Sequence, residues 1–376
     1  MAGRCVVIGA GLMGNQHAEY LTRSRLVDIE GVCDVRPEAA QALASKVGGK
    51  AYVNVEQCLD ETRPDIALVV TPDWLHREPV ELAARARVPL ILCEKPLATT
   101  VADAEAMLTA CEQNRVQLGV LFLNRFYPLD RALRYFVKAG LMGEVTHGEA
   151  RLDDSIAVPL SMWKERSREF SSRSSPVHFL LSHVVDLLGF YLEPSRVQEV
   201  SALGGRKILA GTWDWLECVF WFDNGAVVRV KSEWVKHMEG VVEFYVALGG
   251  TKGTAVYNKV PGFGVRGGLK LCRRDGDVDE LLAHAAQLNQ QGIRARVVAN
   301  EASVGAPYSL ELYPEENPHE WEAGLEAFVE GYRRGTMEGL PGAREALEQV
   351  RVTEAIEQSA RESRPVQIAR PCSEPH

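Results

Sequence analysis

The chain has 376 residues, of which 46% are hydrophobic and 25% are charged, an ordinary globular composition whose length suggests two domains. The 51 acidic residues outnumber the 42 basic ones, so the formal net charge is −9. The sequence has no dense run of Lys and Arg, and nucleic acid is therefore not expected as a partner.

The first residues and the cysteines indicate where the protein works. The start, MAGRCVVIGAG, passes directly into an apolar strand and a glycine turn instead of a signal peptide. No apolar run in the sequence is as long as a membrane span. The eight cysteines are scattered without a Cys-x-x-Cys pair, as is typical of reduced, buried thiols. We therefore expect a cytoplasmic protein without membrane association.

The first 125 residues alternate short apolar runs with helical patterns. The runs are CVVIGA, VDIEGVCD, AYVN, DIALVVTP, LILCEKP and VQLGVLF, and the predicted helices include 14–23, 37–47, 75–86 and 101–114. Continuous apolar runs suit strands buried on both faces, and strand-helix alternation favours a parallel sheet. Residues 1–125 are therefore predicted to form a Rossmann dinucleotide-binding domain.

The motif Gly9-x-Gly11-x-x-Gly14 follows the first predicted strand and opens the first predicted helix. Its three glycines allow a tight turn, a close approach of the backbone to a pyrophosphate, and close packing of the helix on the sheet. Asp34 lies 20 positions after Gly14, where a carboxylate binds a ribose 2′-hydroxyl. NAD is therefore expected in preference to NADP, although Arg36 is close enough to complicate that choice. The predicted cofactor contacts in the loop are Gly9, Gly11, Leu12, Met13 and Gly14.

The fifth predicted strand ends in Glu94-Lys95-Pro96. This position is the carboxyl edge of the predicted sheet, where ligands bind in open α/β folds. A lysine there can supply a positive charge beside the nicotinamide, orient a substrate hydroxyl, or relay a proton. The plain alternative is a strand-end lysine that points into water.

Longer strand candidates follow between residues 146 and 257. Asn224-Gly225 divides the run WLECVFWFDNGAVVRVKSEWV and is a strong signal for a hairpin turn. We expect a C-terminal α+β domain, residues 126–376, with a large and mainly antiparallel sheet. Residues 261–314 have no clear pattern and are predicted to be irregular or inserted. Residues 317–335 and 342–361 are predicted helices, and RPVQIAR is a predicted final strand.

The segment SPVHFLLSHVVD places two histidines and a carboxylate in an apolar run. On a helix His178 and His183 lie about 140° apart, whereas His183 and Asp186 lie about 60° apart on one face. A helical metal pair needs the i, i+4 spacing, so no metal site is expected. Two readings of His183 stay open from the residues alone, a satisfied core histidine and an acid or base.

These motifs together resemble those of the Gfo/Idh/MocA oxidoreductases, a family that includes glucose-fructose oxidoreductase and inositol dehydrogenase. The resemblance covers nearly the whole chain, and the Glu-Lys-Pro motif is its most specific element. The other matching segments are GAGLMGNQHA, TPDWLH, NRFYP, GLMGEV, HVVD and LPGAREALEQVRVTEAIEQSA, with Trp163. The resemblance implies a cis bond between Lys95 and Pro96. It also implies cofactor contacts from Thr71, Pro72, His76, Glu94, Lys95 and Asn124. Asp73 stands where family members commonly have an asparagine.

The resemblance also implies the catalytic groups. His183 is expected to be the acid/base, because histidine as a residue type titrates near the working pH, and Lys95 is expected to orient the substrate hydroxyl and stabilise its alkoxide-like charge. Family members commonly carry an Asp where this chain has Phe179, so either another group fixes the tautomer of His183 or the site is altered. The candidates for that group are His178, Asp153 and Asp154. The expected substrate contacts are Lys95, Arg125, Trp163, His183 and Asp186.

The resemblance implies an NAD(P)-dependent dehydrogenase that acts on a hydroxyl of a sugar, polyol or sugar derivative. Its pocket is expected between the two domains, and its C-terminal sheet is expected to form a homodimer or homotetramer. Two alternatives stay open. One is a lyase or glycosidase that oxidises its substrate transiently with bound NAD before elimination. The other, motivated by Phe179, is a non-catalytic homologue that binds a sugar or nucleotide.

Overall fold

A computed structural model of the chain describes residues 3–209, 211–262, 264–274, 277–300, 305–314 and 322–369. The described residues form two compact units. The first unit draws them from 1–123 and 321–354, and the second from 124–320 and 355–376. The sequence-based division into 1–125 and 126–376 stays a prediction. The units differ from it because the chain returns to the first unit near its end.

The first unit is built on a six-stranded sheet. Its strands are β1 Gly3–Ile8, β2 Val27–Cys33, β3 Lys50–Tyr52, β4 Ile66–Val69, β5 Leu90–Cys93 and β6 Gln117–Val120. The strand order is β3-β2-β1-β4-β5-β6, and all neighbours pair in parallel. This is the order of a Rossmann fold, which confirms the prediction. Every residue of β4 and β5 is buried, as expected for strands covered on both faces.

Helices follow the strands of this unit at α1 Leu12–Arg23, α2 Pro37–Val47, α3 Val55–Thr62, α4 Arg77–Arg85 and α5 Val101–Asn114. The predicted bounds of α2 and α5 are confirmed to the residue. Pro37 begins α2, and Gly48, with a φ of 86°, ends it in the left-handed conformation. Thr100 caps α5 by accepting a hydrogen bond from the Asp103 N–H. α4 is shorter than predicted because a 3-10 turn, Asp73–Leu75, precedes it.

The second unit contains a ten-stranded sheet. Its strands are β7 Val145–Ser155, β8 Val197–Gly205, β9 Trp215–Phe222, β10 Val227–Lys236, β11 Val242–Gly250, β12 Gly253–Val260, β13 Gly268–Arg273, β14 Ala295–Ala299, β15 Tyr308–Leu312 and β16 Val366–Gln367. The order is β14-β15-β13-β12-β11-β7-β10-β9-β8-β16. Only β7 and β10 pair in parallel, so the predicted mainly antiparallel sheet is confirmed. The predicted hairpin at Asn224-Gly225 joins β9 to β10.

The helices of the second unit precede or interrupt this sheet at α6 Pro128–Lys138, α7 Ala157–Leu160, α8 Glu165–Arg173, α9 Ser182–Leu192 and α10 Val278–Gln290. A single π-helical turn, Val177–Leu181, leads directly into α9. The two faces of the sheet differ. On β10, Val230 and Trp234 are buried, whereas Arg229 is exposed and Glu233 only half-buried. One face therefore packs into the core and the other carries charge.

The prediction that residues 261–314 are irregular is wrong for the described part of that segment. It forms β13, α10, β14 and β15, and the three strands extend the sheet to its edge. Each of these strands has only five or six residues. Apolar alternation over so short a length is a weak signal, which explains why the sequence pattern did not reveal them.

Two helices at the end of the chain, α11 Glu322–Arg334 and α12 Ala343–Glu362, confirm the predicted pair; residues 317–321 of the prediction lie outside the described residues. Phe328 of α11 packs so closely on Gly119 that a Cβ there would lie 2.6 Å from the ring. Leu347 and Val350 of α12 belong to the hydrophobic core of the first unit. In the part of the chain that the structure describes, no single helix is long and apolar enough to cross a membrane, although a pair bent by 83°, Arg166–Arg173 with Val177–Leu192, passes on length and composition.

The start of α1 is packed tightly against the loop that precedes it. A Cβ at Gly14 would lie 2.0 Å from the carbonyl oxygen of Gly9 and 3.2 Å from Cγ2 of Val70. Gly9 itself has a φ of 109°, which L side chains rarely adopt. Gly11 differs from both, because a Cβ there would meet nothing within 4 Å.

We expect Gly14→Ala to lower the free energy of unfolding by about 3 kcal/mol, because the helix must move to relieve the overlap. Gly11→Ala is the matched control, with an expected loss of less than about 1 kcal/mol. Chemical denaturation of both variants measures the difference. Equal midpoints for the two variants would contradict the packing argument.

Candidate active site

The glycine loop ends in the first turn of α1, with Gly11 at the N-cap and no side chain there to satisfy the helix N–H groups. The space over Gly11 is open, and Leu12 beside it is 51% exposed. Met13 is half-buried. An open helix N-terminus with free backbone donors favours a bound phosphate. The loop therefore fits the pyrophosphate of a dinucleotide.

Asp34 follows β2, and its carboxylate has four donors in this structure. Oδ2 accepts from the Ala10 N–H at 2.8 Å and from Arg36 Nη2 at 3.1 Å. Oδ1 accepts from the Arg36 N–H at 2.9 Å and from Arg36 Nε at 3.1 Å. Burial opposes the charge of Asp34, but the hydrogen bonds from Arg36 and Ala10 outweigh it and hold its pKa below the usual value. Because a carboxylate accepts about four bonds, a ribose hydroxyl must displace an Arg36 contact to bind here.

Glu94 anchors the loop that carries Lys95. Its buried carboxylate lies 2.6 Å from Nε2 of His17, a fully buried residue of α1, and accepts from the Lys95 N–H at 3.0 Å. Burial alone would raise the pKa of Glu94, but the bond to His17 and the charge of Lys95 lower it overall. The expected cis bond between Lys95 and Pro96 is confirmed, and the Lys95 side chain is half-buried. Sequence reasoning missed His17, although it lies within the quoted segment GAGLMGNQHA.

His76 joins two loops of the first unit. Its Nδ1 lies 2.9 Å from the carbonyl oxygen of Pro96, and its Nε2 lies 2.9 Å from that of Thr71. Both partners are acceptors, and a neutral ring can donate to only one of them. Asp73, in the position of the family's usual asparagine, is buried and accepts from the Trp74 N–H. The expected cofactor contacts of Thr71, Pro72 and His76 stay predictions, while the structure shows His76 holding the lysine loop.

In the second unit, one turn holds two side chains of α9. Within the 3-10 turn Leu123–Phe126, the Asn124 amide lies 2.9 Å from Nδ1 of His183. Its neighbour Arg125 donates from Nη2 to Oδ1 of Asp186 at 2.6 Å and from Nε to Oδ2 at 3.1 Å. The Asp186 side chain is 0% exposed, so its carboxylate serves to hold Arg125. The sequence placed His183 and Asp186 on one helix face but did not find their partners.

The structure gives Asp153, one of the expected partners of His183, a different environment. Its Oδ2 lies 3.2 Å from Nζ of Lys231 and 3.1 Å from Nζ of Lys236. Asp153 is therefore part of an ion network on the sheet. A contact to Nδ1 of His183 comes instead from Asn124, which had been expected only as a cofactor contact. His178 and Asp154 stay candidates for a further contact.

Phe179 lies in a cluster of aromatic rings, where family members commonly have an acid. Its ring centroid is 5.3 Å from that of Phe170, 5.8 Å from that of Trp234 and 6.1 Å from that of Trp163. These edge-on and tilted arrangements are favourable for aromatic rings. The indole nitrogens of Trp163 and Trp234 are buried and have no acceptor among the described residues. Phenylalanine at position 179 packs on these rings and offers no hydrogen-bond acceptor to His183.

No group of three or more His, Cys, Asp and Glu side chains within the described ranges is arranged to hold a metal ion. The side chains in the two units are those of proton transfer, hydrogen bonding and phosphate binding. A Rossmann unit with this glycine loop and an acidic residue at the end of β2 is typical of dinucleotide-binding proteins.

The chain belongs to the Gfo/Idh/MocA family. Residues 3–122 match the family model described as "Oxidoreductase family, NAD-binding Rossmann fold", and residues 131–256 match the "GFO/IDH/MocA C-terminal domain". NAD is therefore the cofactor of its first unit.

Several proteins are similar to the chain. An uncharacterized oxidoreductase of Streptococcus pneumoniae is 26% identical, over 96% of this chain and 98% of its own. D-glucoside 3-dehydrogenase of Escherichia coli is 30% identical over an aligned region that covers 54% of this chain and 58% of that relative. 2,7-anhydro-N-acetylneuraminate hydratase of Escherichia coli is 24% identical over 85% of this chain and 82% of its own. Levoglucosan dehydrogenase, solved with NADH and levoglucosan, has the same fold, with a TM-score of 0.80, 18% identity, and coverage of 98% of this chain and 100% of its own.

We expect Asp34→Ala to weaken NAD binding by about 10-fold or more, because a hydrogen bond to a charged group is worth about 1.5–3 kcal/mol. The same change releases Arg36 and removes a charge that repels a 2′-phosphate, so NADP binding should improve. Quenching of tryptophan fluorescence measures both dissociation constants without a substrate. Arg36→Ala is the control, and it should retain or improve NAD binding. An unchanged NAD to NADP ratio in Asp34→Ala would disprove this role.

We expect Glu94→Gln to lower the free energy of unfolding at neutral pH by about 3 kcal/mol, because it breaks a buried pair. Since folding lowers the pKa of Glu94, its contribution is complete above the unfolded value of about 4.5. The difference in the free energy of unfolding between wild type and variant should therefore become smaller as the pH falls through the lower folded-state pKa. Chemical denaturation at several pH values measures this difference. Glu112→Gln is the control. It removes an exposed ion pair with Arg344 and should lower the free energy of unfolding by less than about 1 kcal/mol.

Proposed function

We propose that this protein is an NAD-dependent dehydrogenase that moves a hydride between the nicotinamide and a hydroxyl-bearing carbon of a sugar, polyol or sugar derivative. The observation that carries the proposal is the lysine loop after β5. Glu94 fixes the backbone of Lys95, and His76 holds the carbonyl groups that follow it. So many buried contacts on one short loop indicate that the position of this lysine matters to the reaction.

Lys95 and His183 are the proposed catalytic pair. When the hydroxyl is oxidised, its carbon loses a hydride and its oxygen loses a proton, which leaves a carbonyl group. NAD supplies the hydride acceptor when it is bound. His183 is the proposed acid/base for the proton, since imidazole titrates near neutral pH. The ammonium group of Lys95 stabilises the negative charge that develops on the oxygen.

The aromatic rings of the second unit support a sugar as the substrate. The Trp163 ring is half-buried and packs on Phe170 and Phe179. Its exposed part is an apolar ring face, which suits the C–H groups of a sugar ring. D-glucoside 3-dehydrogenase, among the relatives, acts on such a compound by its name. We propose Arg125, which Asp186 holds, and Trp163 as substrate contacts.

A second candidate is a lyase or hydratase that uses NAD transiently. Its support is the hydratase relative, which matches 85% of this chain, whereas the glucoside dehydrogenase matches 54%. In this reaction a hydroxyl is oxidised to a ketone, which acidifies the neighbouring C–H bond and permits elimination. The hydride then returns from the nicotinamide to the same carbon, so no NADH is formed overall.

A substrate panel distinguishes the two candidates. Sugars, polyols, sugar acids and anhydro sugars are incubated with the protein and NAD, and both NADH absorbance and substrate consumption are followed. NADH in equal amount to the product supports the dehydrogenase. Consumption without NADH supports the second candidate. Binding of NAD without any consumption would favour the non-catalytic alternative.

We also propose a homodimer or homotetramer through the sheet of the second unit. Leu203 of β8 is 62% exposed and Trp215 of β9 is 39% exposed, and both lie on neighbouring strands of that sheet. Exposed large apolar side chains that lie close together are typical of contact surfaces.

We expect Lys95→Ala and His183→Ala each to lower kcat by about 10²–10⁴-fold, because each removes a group that acts in the transition state. The dissociation constant for NAD should change by less than about 3-fold. Steady-state kinetics and fluorescence titration measure the two effects. Lys46→Ala and His147→Ala, at exposed positions, are the matched controls and should keep wild-type activity. Full activity of either site variant on its true substrate would overturn the assignment of that residue.

A further inference from the structure

The donor and the acceptor in the contact between Asn124 and His183 follow from the atoms that meet. The Asn124 amide nitrogen lies 2.9 Å from Nδ1 of His183. An amide nitrogen carries two protons and can only donate, so Nδ1 must accept. A neutral imidazole has one proton, which then belongs to Nε2. The contact therefore selects the Nε2–H tautomer of His183.

The surroundings of Asn124 hold it in place for this contact. The next residue, Arg125, is fixed by a bidentate bond to the buried carboxylate of Asp186, one turn after His183 on α9. Two adjacent residues of one turn thus meet two side chains three positions apart on one helix. Rotation or translation of the turn would therefore strain the Arg125 pair as well as the contact to the imidazole.

The position at which family members commonly carry an acid partner is occupied by an aromatic ring in this chain. Phe179, four positions before His183, packs among Trp163, Phe170 and Trp234. A carboxylate partner accepts a hydrogen bond from Nδ1–H and stabilises an imidazolium, as in a Ser-His-Asp triad. A neutral amide whose nitrogen faces the ring neither accepts that hydrogen bond nor stabilises the imidazolium.

We propose that Asn124 is the positioning residue of His183 and that it holds the resting, neutral imidazole as the Nε2–H tautomer. In this state the Nε2–H group of His183 is a hydrogen-bond donor for a substrate oxygen. For Nε2 to take a proton, the amide must turn so that its Oδ1 accepts from Nδ1–H. The orientation of one amide therefore decides whether His183 donates or accepts, and this part of the inference rests on the proposed dehydrogenase function.

The tautomer can be measured directly on the full chain with NAD added. The protein is labelled with ¹⁵N in its nine histidines, and long-range ¹H–¹⁵N correlations are recorded at a pH where the ring is neutral. The signals of His183 are assigned by their loss in His183→Gln. We expect a pyridine-type Nδ1 and a pyrrole-type Nε2. A pyrrole-type Nδ1 in the wild type would overturn the inference.

Two variants of Asn124 test whether the amide is the cause. Asn124→Asp presents only acceptors, so the pattern of His183 should reverse to Nδ1–H. Asn124→Ala removes this donor to Nδ1, so the Nδ1–H tautomer should become populated and the two nitrogen shifts should move toward each other. An unchanged pattern in Asn124→Ala would show that another group sets the tautomer, and it would overturn the inference. Asn258→Ala, at an exposed hydrogen bond to Arg266, is the control and should leave the pattern unchanged.

Steady-state kinetics, on the substrate that the panel identifies, distinguish a role of Asn124 in positioning His183 from a role in substrate binding. Asn124→Ala should lower kcat by about 10–100-fold, with KM changed by less than about 3-fold, because the ring is present but less often aligned. Thermal unfolding at the wild-type temperature confirms that the variant is folded. An unchanged kcat in a variant with an altered tautomer would overturn the positioning role. If no substrate is turned over but the tautomer responds as expected, the proposed function fails and the assignment of the tautomer stands.

Discussion

A buried carboxylate organises the first unit. Glu94 is almost fully removed from water, and an isolated charge in such a place is costly. The cost is offset because the carboxylate is hydrogen-bonded to His17 of α1 and accepts a hydrogen bond from the backbone N–H of Lys95 in its own loop. The helix that follows the glycine loop and the loop that carries the lysine are thereby tied to one side chain. The helix after the glycine loop and the loop of Lys95 therefore cannot shift independently while that bond persists.

The second unit repeats this arrangement with different residues. Asp186 is fully buried and is held by Arg125, whose neighbour Asn124 reaches His183. In both units a buried acid orients a short turn, and that turn carries or contacts a member of the proposed catalytic pair. A π-helical turn leads into α9, and such turns occur frequently at functional sites. Buried, hydrogen-bonded carboxylates thus hold the surroundings of Lys95 and of His183 in place.

Local signals explain how much of this structure was predictable. The parallel sheet follows from continuous apolar strands, and the bounds of α2 and α5 follow from their caps and from Pro37. The glycine loop, Lys95 and His183 were found because each lies in a motif with a fixed spacing. The short strands β13, β14 and β15 were missed because five or six residues hold too little alternation to identify.

The partners of the site residues were beyond the reach of sequence reasoning for a different reason. His17 and Glu94 are 77 positions apart, and Asn124 and His183 are 59 apart. No periodic pattern relates residues at such distances, because only the folded topology brings them together. The return of α11 and most of α12 to the first unit has the same origin. The aromatic cluster around Phe179 could be suspected from composition, but its packing could not.

The grip of Arg36 on Asp34 has a consequence for the affinity of the predicted cofactor site. Because the guanidinium is bonded to the carboxylate, a ribose hydroxyl that binds there replaces one hydrogen bond of Asp34 with another. Such an exchange adds less to the binding free energy than a new bond to a carboxylate without that partner. The reduction applies equally to the oxidised and the reduced dinucleotide, because both carry the same ribose.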